Sequence, residues 1–197
     1  MKYGELTLGQ VEAIVNKLGG MEGVSRFLRG ELEVKAVERF FPIWKTLRLG
    51  TGLKTAADFR GALQDSGHRI GEWASDILGK CSFKASLIEM EVDLVVTTVA
   101  ELGFKNGATR ENIYKRALEF GLKLCPPEVG PQLRLQYTDQ PWGEWLLIGM
   151  EPIAASGGYL RVFSVVRDDG GLWLDSYFGY PGSVWYGSDR WVFVRGK

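Results

Sequence analysis

The chain has 197 residues, of which 45% are hydrophobic and 24% charged, and its 24 basic residues balance its 24 acidic residues. The balance also holds locally, with fourteen residues of each sign in 1–105. Composition therefore disfavours binding through non-specific contacts to nucleic-acid phosphates or to an anionic membrane. The N-terminus lacks the apolar core of a secretory signal, no apolar run is long enough for a membrane span, and two cysteines make no disulfide framework. These features predict a cytoplasmic globular protein without a membrane partner.

Two short helices are predicted at the N-terminus, over residues 7–18 and 22–29. Thr7 and Gln10 have the spacing of a capping box, and apolar residues recur at helical spacing after them. Gly19 and Gly20 end the first helix. The pattern predicts two helices joined by a tight turn.

This pair resembles phage-repressor-type helix-turn-helix units at Gln10, Ala13, Val24 and Leu28. The resemblance implies that the DNA-contacting residues are Ser25, Arg26 and Arg29. The interval from Ala13 to Val24 is one residue longer than that family usually has. The alternative is a plain helical hairpin whose arginines are solvated.

Further helices are predicted before residue 80, over 34–41, 55–66 and 70–78, because apolar residues recur there at helical spacing. Pro42 ends the first of them. His68, the single histidine, is predicted to be an exposed turn residue between two helices. Residues 1–80 are therefore predicted to form a helical domain, and residues 81–197 a second domain of mixed α and β structure.

Acidic and apolar residues alternate at the start of the second domain. Glu89, Glu91 and Asp93 alternate with Met90 and Val92, and a β-branched run follows. A strand and the start of a helix both fit so short a run. The carboxylates are either ligands of a hard cation or ordinary surface charges.

The clearest helix pattern covers residues 109–121, with Thr109 as N-cap and Gly121 as terminator. Cys125 follows, before two prolines. A thiol nucleophile and a small buried side chain are the alternatives for this cysteine, and no base is placed near it by the sequence.

Five strands of an antiparallel meander are predicted after residue 130. They cover 132–137, 144–151, 160–167, 172–178 and 190–194. The second is apolar on both faces and should be central, with the 109–121 helix as its cover. The turn at 168–171 predicts a hairpin. The fold class is α+β: a helical N-terminal part, then a mainly antiparallel sheet of about five strands covered by one helix.

Five of the seven tryptophans follow residue 140. Some of these rings are predicted to form a face for a ligand or partner, and the alternative is that they pack against the helical half. The residues predicted for that face are Trp142, Trp173, Tyr177, Trp185, Tyr186 and Arg190.

The order of segments resembles a group of uncharacterised bacterial proteins. The segments that carry this resemblance are 92–96, 101–104, 124–137 and 143–153. It covers nearly the whole chain, and since no activity is attached to the group, it implies no functional residues.

The favoured function is a non-enzymatic binding or regulatory protein whose partner is a protein or DNA. No catalytic residue, metal ligand or cofactor is assigned. One alternative is a small hydrolase or transferase that uses carboxylates from the set Glu91, Asp93, Glu144 and Glu151. Another is a structural or interaction module without a small ligand.

Overall fold

A computed structural model describes residues 6–34 and 40–196, which belong to two compact units divided at residues 39 and 40. The first unit contains helices α1 (Leu8–Lys17) and α2 (Gly20–Leu28). Thr7 and Gln10 form the predicted capping box, and Gly19 has the positive φ of 92° that ends α1. The predicted helix pair is therefore confirmed.

Residues 40–196 of the second unit contain four helices and eleven strands. The helices are α3 (Ala56–Asp65), α4 (Glu72–Leu78), α5 (Arg110–Glu119) and α6 (Val129–Gln136). The strands are β1 (Lys45–Leu49), β2 (Arg69–Ile70), β3 (Met90–Thr98), β4 (Ala108–Thr109), β5 (Leu122–Lys123), β6 (Trp145–Ile148), β7 (Ile153–Ala154), β8 (Leu160–Asp168), β9 (Gly171–Phe178), β10 (Val184–Trp185) and β11 (Arg190–Arg195). None of the helices in 6–34 and 40–196 has the length and apolar character needed to cross a bilayer.

The α+β class is confirmed, but the predicted sheet is too small. Nine strands form one mixed sheet in the order β1-β3-β11-β6-β8-β9-β2, with β5 beside β11 and β7 beside β8. Two pairs are parallel, β11 with β6 and β2 with β9. Strand β11 lies between β3 and β6, so the predicted meander order is wrong. The β8–β9 hairpin across residues 168–171 is confirmed.

Helices cover both faces of this sheet instead of one. On the first face, α6 packs against β8 and β9 so closely that a Cβ added at Gly130 would lie 2.7 Å from the Phe163 ring. Helix α3 contacts α6, and α4 contacts β8 and β9. On the second face, the Tyr114 ring of α5 packs on Trp191 and Phe193 at 5.5 and 5.9 Å between centroids. Helix α5 has the predicted N-cap Thr109. It is one of four covering helices.

The strand predicted at 132–137 is helix α6. Its alternating leucines suggested one wet face, yet Gln132, Leu133 and Arg134 are all buried. A helix enclosed on most sides can bury polar residues if they find partners, and Gln132 donates to Glu128 Oε1 at 3.0 Å. Tertiary packing therefore decides the structure of this segment over its local pattern.

The predicted boundary at residue 80 does not follow the compact units. Strand β1 pairs with β3, and α3 and α4 pack beside the sheet, so residues 40–80 belong with the rest of the second unit. The run predicted as a helix over 34–41 falls largely on 35–39, outside the described residues, and its continuation leads into β1. Residues 90–98 are a strand.

The single histidine and one cysteine lie in the interior. His68 is 7% exposed, so its prediction as a surface residue is wrong, and its backbone N–H donates to Leu63 O at 2.8 Å. Cys125 is buried, and its thiol donates to Val192 O at 3.4 Å. Burial raises the pKa of Cys125, which keeps the thiol protonated and unreactive.

Candidate functional site: an aromatic groove

A groove with two lobes opens on the α5 side of the sheet. The first lobe encloses about 400 Å³ and its lining includes Trp142, Glu144, Leu147, Ser188 and Arg190. The second encloses about 350 Å³ and its lining includes Tyr177, Phe178, Ser183, Val184 and Tyr186. Three residues line both lobes: Trp145, Trp185 and Asp189. We call the two lobes together the aromatic groove.

The strand register places the floor of the groove on one face of the sheet. Trp191 of β11 lies opposite Leu147 of β6, which lies opposite Ser164 of β8. Paired residues on neighbouring strands point to the same side of a sheet, and so do residues two positions apart on a strand. Trp145 and Tyr177 therefore share this face with Leu147. The same alternation that buries Val192 on the opposite face directs these rings to the groove.

A nearly buried carboxylate anchors the first lobe. The Glu144 side chain is 8% exposed, and its Oε1 accepts a 2.5 Å hydrogen bond from Arg190 Nη1. Its Oε2 accepts from the Tyr137 hydroxyl at 2.8 Å. Burial and the hydrogen bond to this carboxylate raise the pKa of Tyr137. Both oxygens of Glu144 have donors, so this side chain fixes the groove wall.

A buried network holds the segment that carries Glu144. Gln140 is fully buried, and its Nε2 donates to Glu144 O at 3.1 Å and to Val165 O at 3.2 Å. The Arg134 guanidinium donates to Gln140 Oε1 at 2.5 Å and to Tyr137 O. Burial lowers the pKa of Arg134 to about 10, at which it stays charged at neutral pH. The wall is therefore tied to helix α6 and to strand β8.

The opposite wall is a loop attached to a small second sheet. Strand β10 pairs with β4, which sets Trp185 opposite Ala108. Gly107 has a φ of 91°, and a Cβ there would lie 2.4 Å from Trp185 O, so glycine permits this close approach. Asp189 closes the loop, because its Oδ2 accepts from Tyr186 N at 2.7 Å. These contacts fix the backbone at Trp185, and its ring packs on those of Tyr177 and Trp191.

Three buried donors on this side have no hydrogen-bond partner among the residues that the structure describes. They are Trp185 Nε1, Trp191 Nε1 and Ser164 Oγ. Trp185 and Trp191 contact each other at 5.1 Å between centroids, and Ser164 shares the sheet face with Trp191. Buried donors usually have a protein, water or ligand partner. Of these three residues, Trp185 lines the groove, whereas Trp191 and Ser164 lie in the sheet beneath it.

Five of the six residues predicted for a ligand face line this groove: Trp142, Tyr177, Trp185, Tyr186 and Arg190. Trp173 does not line either lobe. Its Nε1 donates to Asp168 Oδ1 at 2.8 Å, and the guanidinium carbon of Arg69 lies 5.3 Å from its ring centroid. Trp145, Asp189 and Ser188 were missing from the prediction. The alternation of residues 145 and 147 along a strand indicates Trp145. Ser188 and Asp189 lie in a loop, where no periodic pattern indicates the direction of a side chain.

The residues predicted to contact DNA lie on or just after α2 and make local contacts. Arg29 Nε donates to Glu31 Oε1 at 2.7 Å, and Arg26 Nε lies 3.9 Å from the other oxygen of that carboxylate. Ser25 Oγ donates to Met21 O at 3.0 Å. DNA contact by Ser25, Arg26 and Arg29 stays a prediction.

The carboxylates named for a hydrolase are divided among different places. Glu144 is in the groove, Glu91 and Asp93 line a separate cavity of about 600 Å³ with Lys123 and Arg195, and Glu151 is exposed just beyond β6. Asp93 Oδ1 accepts from Thr46 Oγ1 at 2.7 Å. Within residues 6–34 and 40–196, no group of three or more His, Cys, Asp or Glu side chains is arranged to hold a metal ion.

Comparison of the chain with protein-family models, with curated proteins and with solved structures finds no match in any of the three. A functional proposal therefore depends on the geometry of the groove itself.

Proposed function

We propose that residues 40–196 form a non-enzymatic binding module whose ligand occupies the aromatic groove. The observation that carries this proposal is the juxtaposition of partly exposed rings with the nearly buried carboxylate of Glu144, each oxygen of which accepts a hydrogen bond. Trp145 is 44% exposed, although it stands next to Glu144, whose carboxylate is tied to Tyr137 and Arg190. Ligand sites commonly combine an apolar concave wall with a few fixed polar groups.

Binding is favoured over catalysis by the state of the polar groups in the groove. A general base must reach the substrate, and the Glu144 side chain is 8% exposed and accepts a hydrogen bond at each oxygen. A nucleophile needs an activating base, and the thiol of Cys125 is buried away from either lobe. The rings, in contrast, are available for stacking or edge contacts with a guest.

A fragment titration followed by the indole N–H signals of the tryptophans tests this proposal. Fragments that bind should shift the signals of Trp145 and Trp185 together and leave that of Trp173 unchanged, because Trp173 lies outside the groove. Replacing Trp145 by Leu should weaken binding, whereas Trp173→Leu should not. If a broad set of aromatic, cationic and polyhydroxylated fragments shifts none of the groove signals, the proposal is wrong.

A further inference from the structure

The second lobe of the groove has three ring walls set at steep angles. The Tyr177 ring lies 5.0 Å from that of Trp145 with an interplanar angle of 64°, and 5.1 Å from that of Trp185 with an angle of 58°. These separations are those of rings packed against one another, so Trp145, Tyr177 and Trp185 form one contacting cluster along the lobe. A guest of the lobe meets several inclined rings, in contrast to the single flat platform on which a base or a sugar stacks.

The side chains that line this lobe carry one formal charge, that of Asp189. It is the one Asp, Glu, Lys, Arg or His among the described residues that line the lobe. Arg190, the nearest cation along the chain, is engaged by Glu144 at 2.5 Å. The guanidinium carbon of Arg161 lies 4.5 Å from the Phe178 ring centroid, so Phe178 already has a cation and is not counted as a wall of the site.

From these observations, and resting on the proposed binding function of the groove, we propose that the second lobe takes an organic cation of the quaternary-ammonium class. The walls would be Trp145, Tyr177 and Trp185, and the counter-charge would be Asp189. A cation near an aromatic face is attracted by the ring quadrupole, and aromatic enclosures of this kind are a known means of recognising quaternary ammonium groups.

The number of N–H donors that must be satisfied distinguishes the candidate cations. A primary ammonium carries three N–H donors and a guanidinium five, and each donor enclosed without a partner is costly. The side chains lining the lobe offer the Asp189 carboxylate and the hydroxyls of Ser183, Tyr177 and Tyr186. One Asp189 oxygen already accepts from Tyr186 N. A quaternary ammonium has no N–H donors to satisfy, and a lobe of about 350 Å³ suits a compact ligand.

Choline and its neutral isostere 3,3-dimethyl-1-butanol provide the direct test, because they share a shape and differ in charge. We expect choline to bind the full chain at least about tenfold more tightly than the neutral compound, since only the cation is attracted by the ring quadrupoles and by the Asp189 carboxylate. Binding should be read by calorimetry and by the indole signals of Trp145 and Trp185.

Two variants and a matched control locate the site. Asp189→Asn keeps an oxygen for the Tyr186 N–H and removes the charge, so it should weaken choline binding about fivefold or more and leave the neutral compound unaffected. Trp145→Leu should weaken choline binding, and Trp173→Leu, on a strand of the same sheet but outside the groove, should not. Circular dichroism of each variant shows whether it is folded.

The outcomes separate this inference from the proposed function. Equal binding of choline and its isostere would overturn the cation site while leaving a groove that binds apolar groups. Absence of choline binding, with other fragments shifting the groove signals, would overturn it in the same way. If neither choline nor any fragment binds, both proposals are wrong.

Discussion

The Tyr137 hydroxyl donates a 2.8 Å hydrogen bond to Glu144 Oε2, which joins the end of helix α6 to the residue before strand β6. The Tyr137 ring also contacts Trp44 edge-on at 5.0 Å between centroids, and the Lys45 ammonium lies 4.9 Å from it. One side chain thus connects the groove wall, the helix that covers the first face and the segment that leads into β1. The position of the groove therefore depends on packing outside it.

Removing this hydroxyl should lower stability. In Tyr137→Phe, Glu144 Oε2 loses its donor in a site where the side chain is 8% exposed, so we expect the free energy of unfolding to fall by about 1.5–3 kcal/mol. Urea denaturation measures the change. Tyr159→Phe is the control, because it removes a hydroxyl for which the described structure shows no hydrogen bond while keeping the ring contact with Trp73. Equal loss in both variants would contradict this role of Tyr137.

Two glycines in helices should respond in opposite directions to alanine. A Cβ at Gly130 of α6 would meet the Phe163 ring at 2.7 Å, whereas a Cβ at Gly61 of α3 would meet nothing within 4 Å. We expect Gly130→Ala to lower the free energy of unfolding by about 1–3 kcal/mol through overpacking. Gly61→Ala should raise it by up to about 1 kcal/mol because alanine favours the helix. Thermal unfolding of both variants measures these changes. A stabilised Gly130→Ala variant would contradict the close approach of α6 to Phe163 of β8.

Glu128 should be among the most sensitive acidic residues. It is 1% exposed, and its carboxylate accepts from Gly50 N at 2.9 Å, Ser86 N at 2.7 Å and Gln132 Nε2 at 3.0 Å. Glu128→Ala leaves these donors without an acceptor, and we expect a loss of about 3 kcal/mol or more by urea denaturation.

Glu119→Ala is the matched control for that substitution. It removes only an exposed ion pair with Arg116 on α5, which should contribute less than about 0.5 kcal/mol. A loss from Glu128→Ala no larger than that of the control would show that the three hydrogen bonds are dispensable.

His68 should make stability fall on mild acidification. Burial, followed by the charge of Arg134, lowers its pKa from the ordinary 6.5. Below pH 6.5 the unfolded chain binds a proton that the folded protein does not, so the contribution of His68 is complete above that pH and is lost as the pH falls toward the folded pKa.

Urea midpoints measured at about pH 7.5 and about pH 5.5 isolate this effect, because most carboxyl groups titrate below that interval. Asp76, whose pKa is lowered to about 2 by hydrogen bonds from Lys80 and Ser156, loses its stabilising role only below its ordinary value of 3.8. His68→Gln should flatten the difference between the two midpoints. An unchanged difference in this variant would assign the pH dependence to other groups.

The parts of the fold that the sequence predicted correctly are those with a local cause. Thr55 and Asp58 form a capping box at the start of α3, and Thr109 caps α5, each by a hydrogen bond within three residues. The β8–β9 turn likewise depends on residues 168–171 alone. Each of these interactions joins residues that are close together in the sequence, so a sequence pattern can indicate it.

The errors have non-local causes. Residues 132–137 are a helix because Arg134 and Gln132 find partners in Gln140, Glu128 and Thr51, which no periodicity reveals. The groove could be predicted only in part, for the same reason. Its aromatic residues are prominent in the sequence, whereas Asp189 lines the second lobe with Trp145 only once the chain has folded. The excess of tryptophans after residue 140 predicted that a face exists, but the sheet order decides which rings share it.

The central place of β11 makes assembly of the sheet depend on residues far along the chain. β3 and β6 do not pair with each other, since β11 stands between them and bonds to both. Until residues 190–195 have been synthesised, these two strands present unpaired inner edges and the groove lacks Arg190. Such a nascent chain exposes strand edges of the kind that chaperones shield. The groove is completed only when β11 pairs with both β3 and β6.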